Sequence, residues 1–327
     1  MPERRRRVAI VTGANAGVGR ETALALASPP HELHVILACR SQPLGEEAAT
    51  HICGVHQGAS VQFMPLDLSS LDSVCEFAER VRNEIGGVSI LVNNAGIGGM
   101  GSVAQMTTDG AAADLHYRVN FVGHFLLCLR LQKSLERGAK ESGLPSRVVN
   151  LSSVMHRYGD TDWLSPLRFS KSQRTYGTSK LAMAVLASEL TRRWAACGVI
   201  GIAVNPGAVN SDIWYRGQQP HVVQEYVVRP LFSMLFLTSR QGAACSVAAA
   251  TDERYAAPSA GLYLCPYRTP ALTPWPFELH GPFAGARECR PASVVLDEGV
   301  GRALWDVTIT YLRELLPEES VLREEDS

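Results

Sequence analysis

The sequence predicts an α/β fold: a single-domain, doubly wound parallel sheet with helices on both faces. Two observations carry this. Six short apolar runs, at 8–11, 34–39, 61–64, 89–92, 147–151 and 199–204, alternate with helical patterns near 18–27, 43–52, 70–84, 109–134 and 176–197, and such alternation builds a parallel sheet with helical crossovers. The strand runs are also apolar without interruption, as in Ile200-Gly201-Ile202-Ala203-Val204, which suits a sheet covered on both sides.

In chain order, the first strand, Val8 to Val11, runs into Thr12-Gly13-Ala14-Asn15-Ala16-Gly17-Val18-Gly19 and then into the helical pattern Arg20 to Ala27. Strand, glycine turn and helix form an anion-binding arrangement: glycines let the backbone approach a pyrophosphate, and amides at the helix N-terminus point at its charge. The spacing of Gly13, Gly17 and Gly19 is TGxxxGxG rather than GxGxxG. The second strand ends at Arg40-Ser41, the third before Asp67-Leu68, the fourth before Asn94-Ala95-Gly96, the fifth before Ser152-Ser153 and the sixth before Pro206-Gly207. Ligands of parallel sheets bind beyond the carboxyl ends of the strands, so Gly13, Arg40, Asn94, Ser153 and Pro206 are expected to converge on one crevice.

The helix after the fifth strand opens on Thr175-Tyr176-Gly177-Thr178-Ser179-Lys180. Tyr176 and Lys180 are four residues apart and share a helix face. An unperturbed phenol titrates near ~10 and an ammonium near ~10.4, and a fixed cation beside the ring favours phenolate. Tyr176 is therefore a candidate general acid or base. Alone the pair would equally suit a solvated helix face; the other motifs single it out.

Composition excludes more than it selects. The 327 residues, 46% of them hydrophobic, suffice for a large core in one extended domain or in two. A net charge of −1 gives no argument for a nucleic-acid partner, and Arg4 to Arg7 reads as a solvated charge cluster. Eight cysteines at 39, 53, 75, 128, 197, 245, 265 and 289 show no CxxC spacing and no accompanying histidine cluster, so neither a metal site nor a disulfide framework is expected. Reduced thiols in a cytoplasmic setting fit best. The Val8–Val11 run is too short for a signal-peptide core. Leu231 to Leu237 falls far below the ~20 residues of a membrane span, although an apolar stretch of this kind can rest on a lipid surface.

The tail departs from the regular alternation. Pro266, Pro270, Pro274, Pro276, Pro282 and Pro291 rule out a continuous helix and predict an irregular loop. A last helix, from about Gly299 to Leu316, carries Leu304, Trp305, Ile309, Leu312 and Leu315 at helical spacing, and the acidic end, Glu318 to Asp326, reads as solvated tail. The chain thus divides into a dinucleotide-binding catalytic unit at 1–265 with an apolar lid at 212–238, a proline-rich insertion at 266–298, and a helix and tail at 299–327.

The four motifs TGxxxGxG, NNAG at Asn93-Asn94-Ala95-Gly96, a serine after a strand at Ser152-Ser153, and YxxxK occur in order. In this the chain resembles the short-chain dehydrogenase/reductase family, with its Rossmann-like fold, from about Val8 to about Tyr263. The stretches Val35 to Arg40, Asn120 to Leu127 and Ser152 to His156 are similar to the retinol-dehydrogenase-like branch. The resemblance implies that Tyr176 is proton donor and acceptor, that Lys180 lowers its pKa and binds the nicotinamide ribose, and that Ser153 rather than Ser152 hydrogen-bonds the substrate oxygen. It implies further that Asn120 holds a proton-relay water. Among cofactor contacts, Gly13, Asn15, Gly17, Val18 and Gly19 correspond to the pyrophosphate loop, and Asp67 and Leu68 to the adenine site. Asn94, Ala95 and Gly96 correspond to the turn beside the adenosine ribose. Pro206, Gly207, Val209 and Ser211 correspond to the segment against the nicotinamide, with Ser211 in place of the usual threonine. The gap between Ser153 and Tyr176 is longer than in many simple members, so Arg157 to Arg174 is expected to form an extra loop. His124 and His156 read as structural.

Cofactor choice turns on the end of the second strand. NAD sites usually place a carboxylate there for the ribose 2′-hydroxyl, whereas an arginine suits the 2′-phosphate of NADP. This chain offers Arg40 and no acid between Val35 and Leu44, which favours NADP over NAD. The apolar lid implies a hydrophobic small-molecule substrate such as a retinoid, steroid, polyisoprenoid or lipid aldehyde or ketone; the same residues would also suit packing on a partner subunit. Relatives form homo-oligomers through the helices near 109–134 and 176–197, which is the expectation here. The rival reading is a catalytically silent NADP(H)-binding regulatory or interaction protein, against which stands the retention of Asn120, Ser153, Tyr176 and Lys180.

Overall fold

A computed structural model describes residues 6–98, 104–106, 112–163, 167, 175–209, 237–257, 259–266 and 285–317. Strands β1 (Arg7–Thr12), β2 (Leu33–Cys39), β3 (Ser60–Pro65), β4 (Ile90–Asn93), β7 (Ser146–Leu151), β8 (Val199–Val204), β9 (Tyr263–Cys265) and β10 (Arg287–Glu288) form one sheet. Its order is β10-β9-β8-β7-β4-β1-β2-β3. All neighbours are parallel except β10, which runs antiparallel to β9. The order reverses between β1 and β4, and the crevice beyond their carboxyl ends is the topological switch point at which doubly wound sheets bind ligands.

Side chains alternate across the strands into two cores. On one side Ile10, Ile36, Leu91 and Val148 pack against α3 (Leu71–Arg80), α5 (Gly123–Ser142), α6 (Thr175–Trp194) and α8 (Glu298–Leu315). On the other, Val11, Leu37, Val92 and Ile202 pack against α1 (Gly17–Leu26), α2 (Gln42–Val55) and α7 (Ser239–Thr251). The fold is thus the doubly wound parallel sheet with helices on both faces. Among the described residues no helix is long and apolar enough to cross a membrane, and no group of three His, Cys, Asp or Glu side chains could hold a metal ion.

Three expectations are corrected. The helix placed near 109–134 starts later and ends later: Ala112–Asp114 is a short strand, β6, antiparallel to β5 (Ala104–Met106). The helical turn α4 (Leu115–Tyr117) then begins because the Asp114 carboxylate accepts from the His116 and Tyr117 amides at 2.9 and 3.2 Å, an N-cap that the acid after an alternating stretch supplies. A π-helical turn, Arg118–Val122, joins it to α5, which continues to Ser142 and is closed by Gly143 at φ 70°. Second, helix α7 was not anticipated. Its buried face is made of Gly242, Ala243, Cys245, Ser246, Ala249 and Ala250, residues too small to give the usual apolar periodicity, and it starts at a capping box of Thr238 and Gln241.

Third, cysteines 265 and 289 form a disulfide, where reduced thiols were expected. Residues 24 apart in sequence are brought together because β10 pairs with β9, a contact that no local spacing encodes. The described end of the proline-rich stretch, from Gly285, is accordingly built into the sheet edge, followed by a 3-10 turn at Ser293–Leu296. Helix α8 starts at Glu298, capped by the Asp297 carboxylate on the Gly299 and Val300 amides at 2.8 and 3.1 Å. The lid residues 212–236, Ser211, positions 267–284 and the acidic tail lie outside the described residues.

Candidate active site

The glycine loop is fixed by the threonine before it. The Thr12 side chain, fully buried, accepts from the Asn94 and Ala95 amides, both at 2.9 Å. Asn94 Nδ2 donates back to the Thr12 carbonyl at 2.8 Å. The ends of β1 and β4 are thereby zipped together, with Asn94, Ala95 and Gly96 beside Gly13. Gly13 has φ +64°, and a Cβ there would lie 2.9 Å from Ala95 Cα; only glycine meets both demands. Gly17, at φ +56°, opens α1, whose N-cap, Ala16, contributes no side-chain hydrogen bond and whose first turn holds no acid. An uncapped helix N-terminus behind a glycine turn fits a pyrophosphate. Asn15 and Val18 lie on this partly exposed rim. Val18 and Val209 both approach Gly242 on α7, so the loop after β8, with Pro206 and Gly207, reaches the same crevice.

The residues expected to face adenosine follow β2 and β3. Arg40 stands exposed directly after β2. One oxygen of the Asp67 carboxylate accepts from the Ser69 amide and hydroxyl at 2.9 and 2.6 Å, which orients the side chain. Leu68 is buried in the core, its carbonyl against Gly123.

Asn120, Ser153, Tyr176 and Lys180 come together on the other side. Asn120 sits in the π-helical turn, a distortion that aims a side chain off the helix line. Its Oδ1 accepts from the Ile97 amide at 2.8 Å, and its Nδ2 donates to the Ile97 carbonyl at 3.0 Å and to Ser179 Oγ at 3.1 Å. Ser179 Oγ in turn donates to the Tyr176 carbonyl at 2.7 Å. Lys180 Nζ donates to the Leu151 carbonyl at 3.0 Å and lies 5.8 Å from the Tyr176 ring centroid. A Cβ on Gly96 would lie 3.2 Å from Asn120 Oδ1 and 3.5 Å from Lys180 Nζ, so Gly96 borders both. The two serines divide: Ser152 Oγ donates to the Lys180 carbonyl at 2.8 Å, whereas Ser153 hydrogen-bonds the Tyr176 phenol.

Burial sets the proton affinities. It pulls the Lys180 ammonium down to about 8. It also raises the Tyr176 phenol above its ordinary value, the hydrogen bond from Ser153 opposing the rise. A net lowering of the phenol by Lys180 was expected. Burial of the phenol decides the direction instead, with Lys180 Nζ 5.8 Å from the ring centroid and donating to the Leu151 carbonyl.

Behind these groups His124 is structural, as expected, through partners that the sequence did not identify. His124, fully buried, is held by burial at a pKa of about 3 and is therefore neutral. Its Nδ1 faces the Asn120 carbonyl at 3.1 Å and its Nε2 the Thr12 hydroxyl at 2.9 Å. A carbonyl only accepts, so Nδ1 carries the proton and Nε2 accepts from Thr12. One histidine thus ties the glycine loop to the π-helical turn. The signal was present as a histidine one helical turn beyond Asn120, but its partner is 112 residues away.

A Rossmann-like sheet carrying a glycine loop, an uncapped helix N-terminus and a Ser-Tyr-Lys cluster at the switch point defines a nicotinamide-type oxidoreductase. The model of the family described as short chain dehydrogenase matches residues 7–220, and the chain belongs to the short-chain dehydrogenase/reductase family. Within it the chain falls in the retinol-dehydrogenase-like branch. It is 38% identical over 250 residues to retinol dehydrogenase 12 of Mus musculus, covering 76% of this chain and 74% of that one. It is 34% identical over 302 residues to retinol dehydrogenase 13 of Homo sapiens, covering 90% and 81%. Among solved structures, an uncharacterised Mycobacterium paratuberculosis protein aligns with a TM-score of 0.66 at 26% identity over 95% of both chains. A variant of actinorhodin polyketide ketoreductase, solved with NADPH, aligns with a TM-score of 0.60 at 21% identity, over 81% of this chain and 97% of that one; that likeness concerns the fold alone.

Proposed function

We propose that this oxidoreductase transfers a hydride between NADP(H) and the carbonyl or alcohol carbon of a hydrophobic substrate. The observation that carries the reading is the placement of Tyr176, hydrogen-bonded by Ser153 on one side and 5.8 Å from Lys180 Nζ on the other. The glycine loop, Asp67, Asn94 to Gly96, and the Pro206 to Ser211 segment would hold the dinucleotide. Bound there, the cofactor supplies or accepts the hydride. The protein's own part is proton chemistry and positioning. Ser153 donates to the substrate oxygen and keeps it beside Tyr176. Tyr176 gives its proton to that oxygen in reduction and takes it back in oxidation. Lys180 steadies the charge left on the phenol and supports the ribose, and Asn120 buttresses α6 through Ser179.

NADP is favoured because Arg40, an exposed cation at the end of β2, suits a 2′-phosphate, and no acid stands beside it. A hydrophobic substrate is favoured by the apolar composition of 212–238 and by the names of the relatives, retinol dehydrogenases 12 and 13. Peripheral contact with a lipid surface and a homo-oligomeric state belong to the same reading. The test is titration of purified protein with NADPH and NADH, followed by turnover with retinal, steroid ketones and aliphatic aldehydes. NADPH-dependent turnover, lowered about 100-fold or more by Tyr176→Phe, is expected. Tight NADPH binding with no turnover of any of these would favour the silent regulatory protein instead. Arg40→Asp is expected to move the preference toward NADH.

A further inference from the structure

His156 takes no part in the proton chemistry above, yet it is almost fully buried, at 1% exposure. Its Nδ1 lies 2.7 Å from the Ser153 carbonyl and its Nε2 accepts from the Ala292 amide at 3.0 Å. A carbonyl only accepts and an amide N–H only donates, so both contacts require the neutral ring protonated at Nδ1. Burial holds it in that form, with a pKa of about 4. The ring also packs on Tyr263, centroid to centroid 5.0 Å. His156 is therefore a strut between the backbone of Ser153 and the segment 285–297.

That segment is fastened at several points. Arg287 and Glu288 pair with β9. The Cys289 amide donates to the Tyr263 carbonyl at 2.8 Å, and Arg157 Nη2 donates to the Arg290 carbonyl at 2.7 Å. The covalent fastening is the disulfide between Cys265, buried at the end of β9, and the half-exposed Cys289. Cys289, half-exposed, lines a surface recess with Gly261, Glu288, Arg290, Pro291 and Leu296. Only Arg290 and Pro291 separate Cys289 from Ala292, so loosening the cysteine loosens the donor to His156.

We propose that the strap 285–297 positions Ser153 through His156, and that the Cys265–Cys289 disulfide fastens this strap, so that a dithiol reductant loosens the serine and slows turnover. The inference rests on the carbonyl-reductase reading for its activity readout. In the redox step, a thiolate of the reductant attacks Sγ of Cys289, the S–S bond breaks, and Cys265 leaves as a thiolate that takes a proton. The second thiol of the reductant then attacks its own mixed-disulfide sulfur, releasing the Cys289 thiol and closing the reductant's disulfide. Two electrons and two protons pass to the protein. His156 is a positioning residue, since it reaches Ser153 through the backbone carbonyl and not through the hydroxyl.

The experiment compares oxidised protein with protein reduced by dithiothreitol, alkylation and intact mass counting the two new thiols, alongside Cys289→Ser, His156→Ala and His156→Gln. On reduction, kcat is expected to fall about tenfold, with the Kd for NADPH unchanged. Cys289→Ser should show the reduced value whatever the treatment. His156→Ala should match it, and His156→Gln, whose amide both donates and accepts, should recover part of the loss. Hydrogen exchange at the Ala292 amide, read without any substrate, should speed up on reduction. Faster exchange in a protein that turns over no carbonyl substrate would retain the clamp and fail the functional reading. An unchanged kcat in active, fully reduced protein, or unchanged exchange at Ala292, would overturn the clamp. A parallel loss of NADPH binding would do so too, since that marks general unfolding.

Discussion

Tyr176 and Lys180 were legible because they lie one helical turn apart, and the glycines because a turn against a backbone leaves no room for a Cβ. What gives them their properties was not. Burial, a property of the whole fold, pulls Lys180 down to about 8 and pushes Tyr176 up, and the Thr12–His124 contact spans 112 residues. The pKa directions give a prediction with a definite sign. Carbonyl reduction draws a proton from Tyr176 and is helped by a charged Lys180. Reductive kcat/KM should therefore hold at lower pH and fall above about 8, where Lys180 loses its proton. Alcohol oxidation, which needs the phenol to accept a proton, should rise over the same range. Profiles in both directions check this, and Lys180→Met should remove the inflection near 8.

Elements hold the site through close approaches that tolerate no extra atoms. Helix α6 carries Tyr176 and Lys180 and lies directly on β8, where a Cβ on Gly201 would meet the Ala187 backbone, 2.9 Å from its Cα. Gly201→Ala should cost about 1–3 kcal/mol of stability and lower turnover by lifting the helix, measurable by urea denaturation and steady-state kinetics. Helix α8 is locked to the body by Trp305, whose ring meets Phe125 at 4.9 Å and Trp194 at 6.0 Å with the Arg193 guanidinium 4.3 Å from its centroid. Trp305→Ala should destabilise by about 3–5 kcal/mol without altering the NADPH/NADH preference, since Arg40 lies on the far side of the sheet order. The strands and most helices could be read from apolar runs. Helix α7 could not, because small residues suffice where it packs closely on α1, and the start of α4 could not, because one carboxylate decides it.

At the scale of the molecule, the strand order and the two cores follow from continuous apolar strands covered on both faces, and the sequence pattern carried that information. The β9–β10 pairing and its disulfide depend on residues separated by a long proline-rich stretch, where periodicity has nothing to say. The fold also buries two neutral histidines, His124 and His156, with pKa values near 3 and near 4. An unfolded histidine titrates near 6.5, so below that pH the unfolded chain binds protons that the native chain refuses, and stability falls as pH falls. Between pH 7 and pH 5 each should cost about 2 kcal/mol. Urea midpoints at the two pH values should show this loss, and His156→Gln should lose about half as much.

Isotope transfer tests the central claim most directly. NADPH deuterated at the reactive C4 position is incubated with the protein and retinal or a steroid ketone, and the product alcohol is examined by mass spectrometry. The account predicts one deuterium on the carbinol carbon, with product formation collapsing in Tyr176→Phe. Tight binding of NADPH with no labelled alcohol from any of these substrates would contradict it.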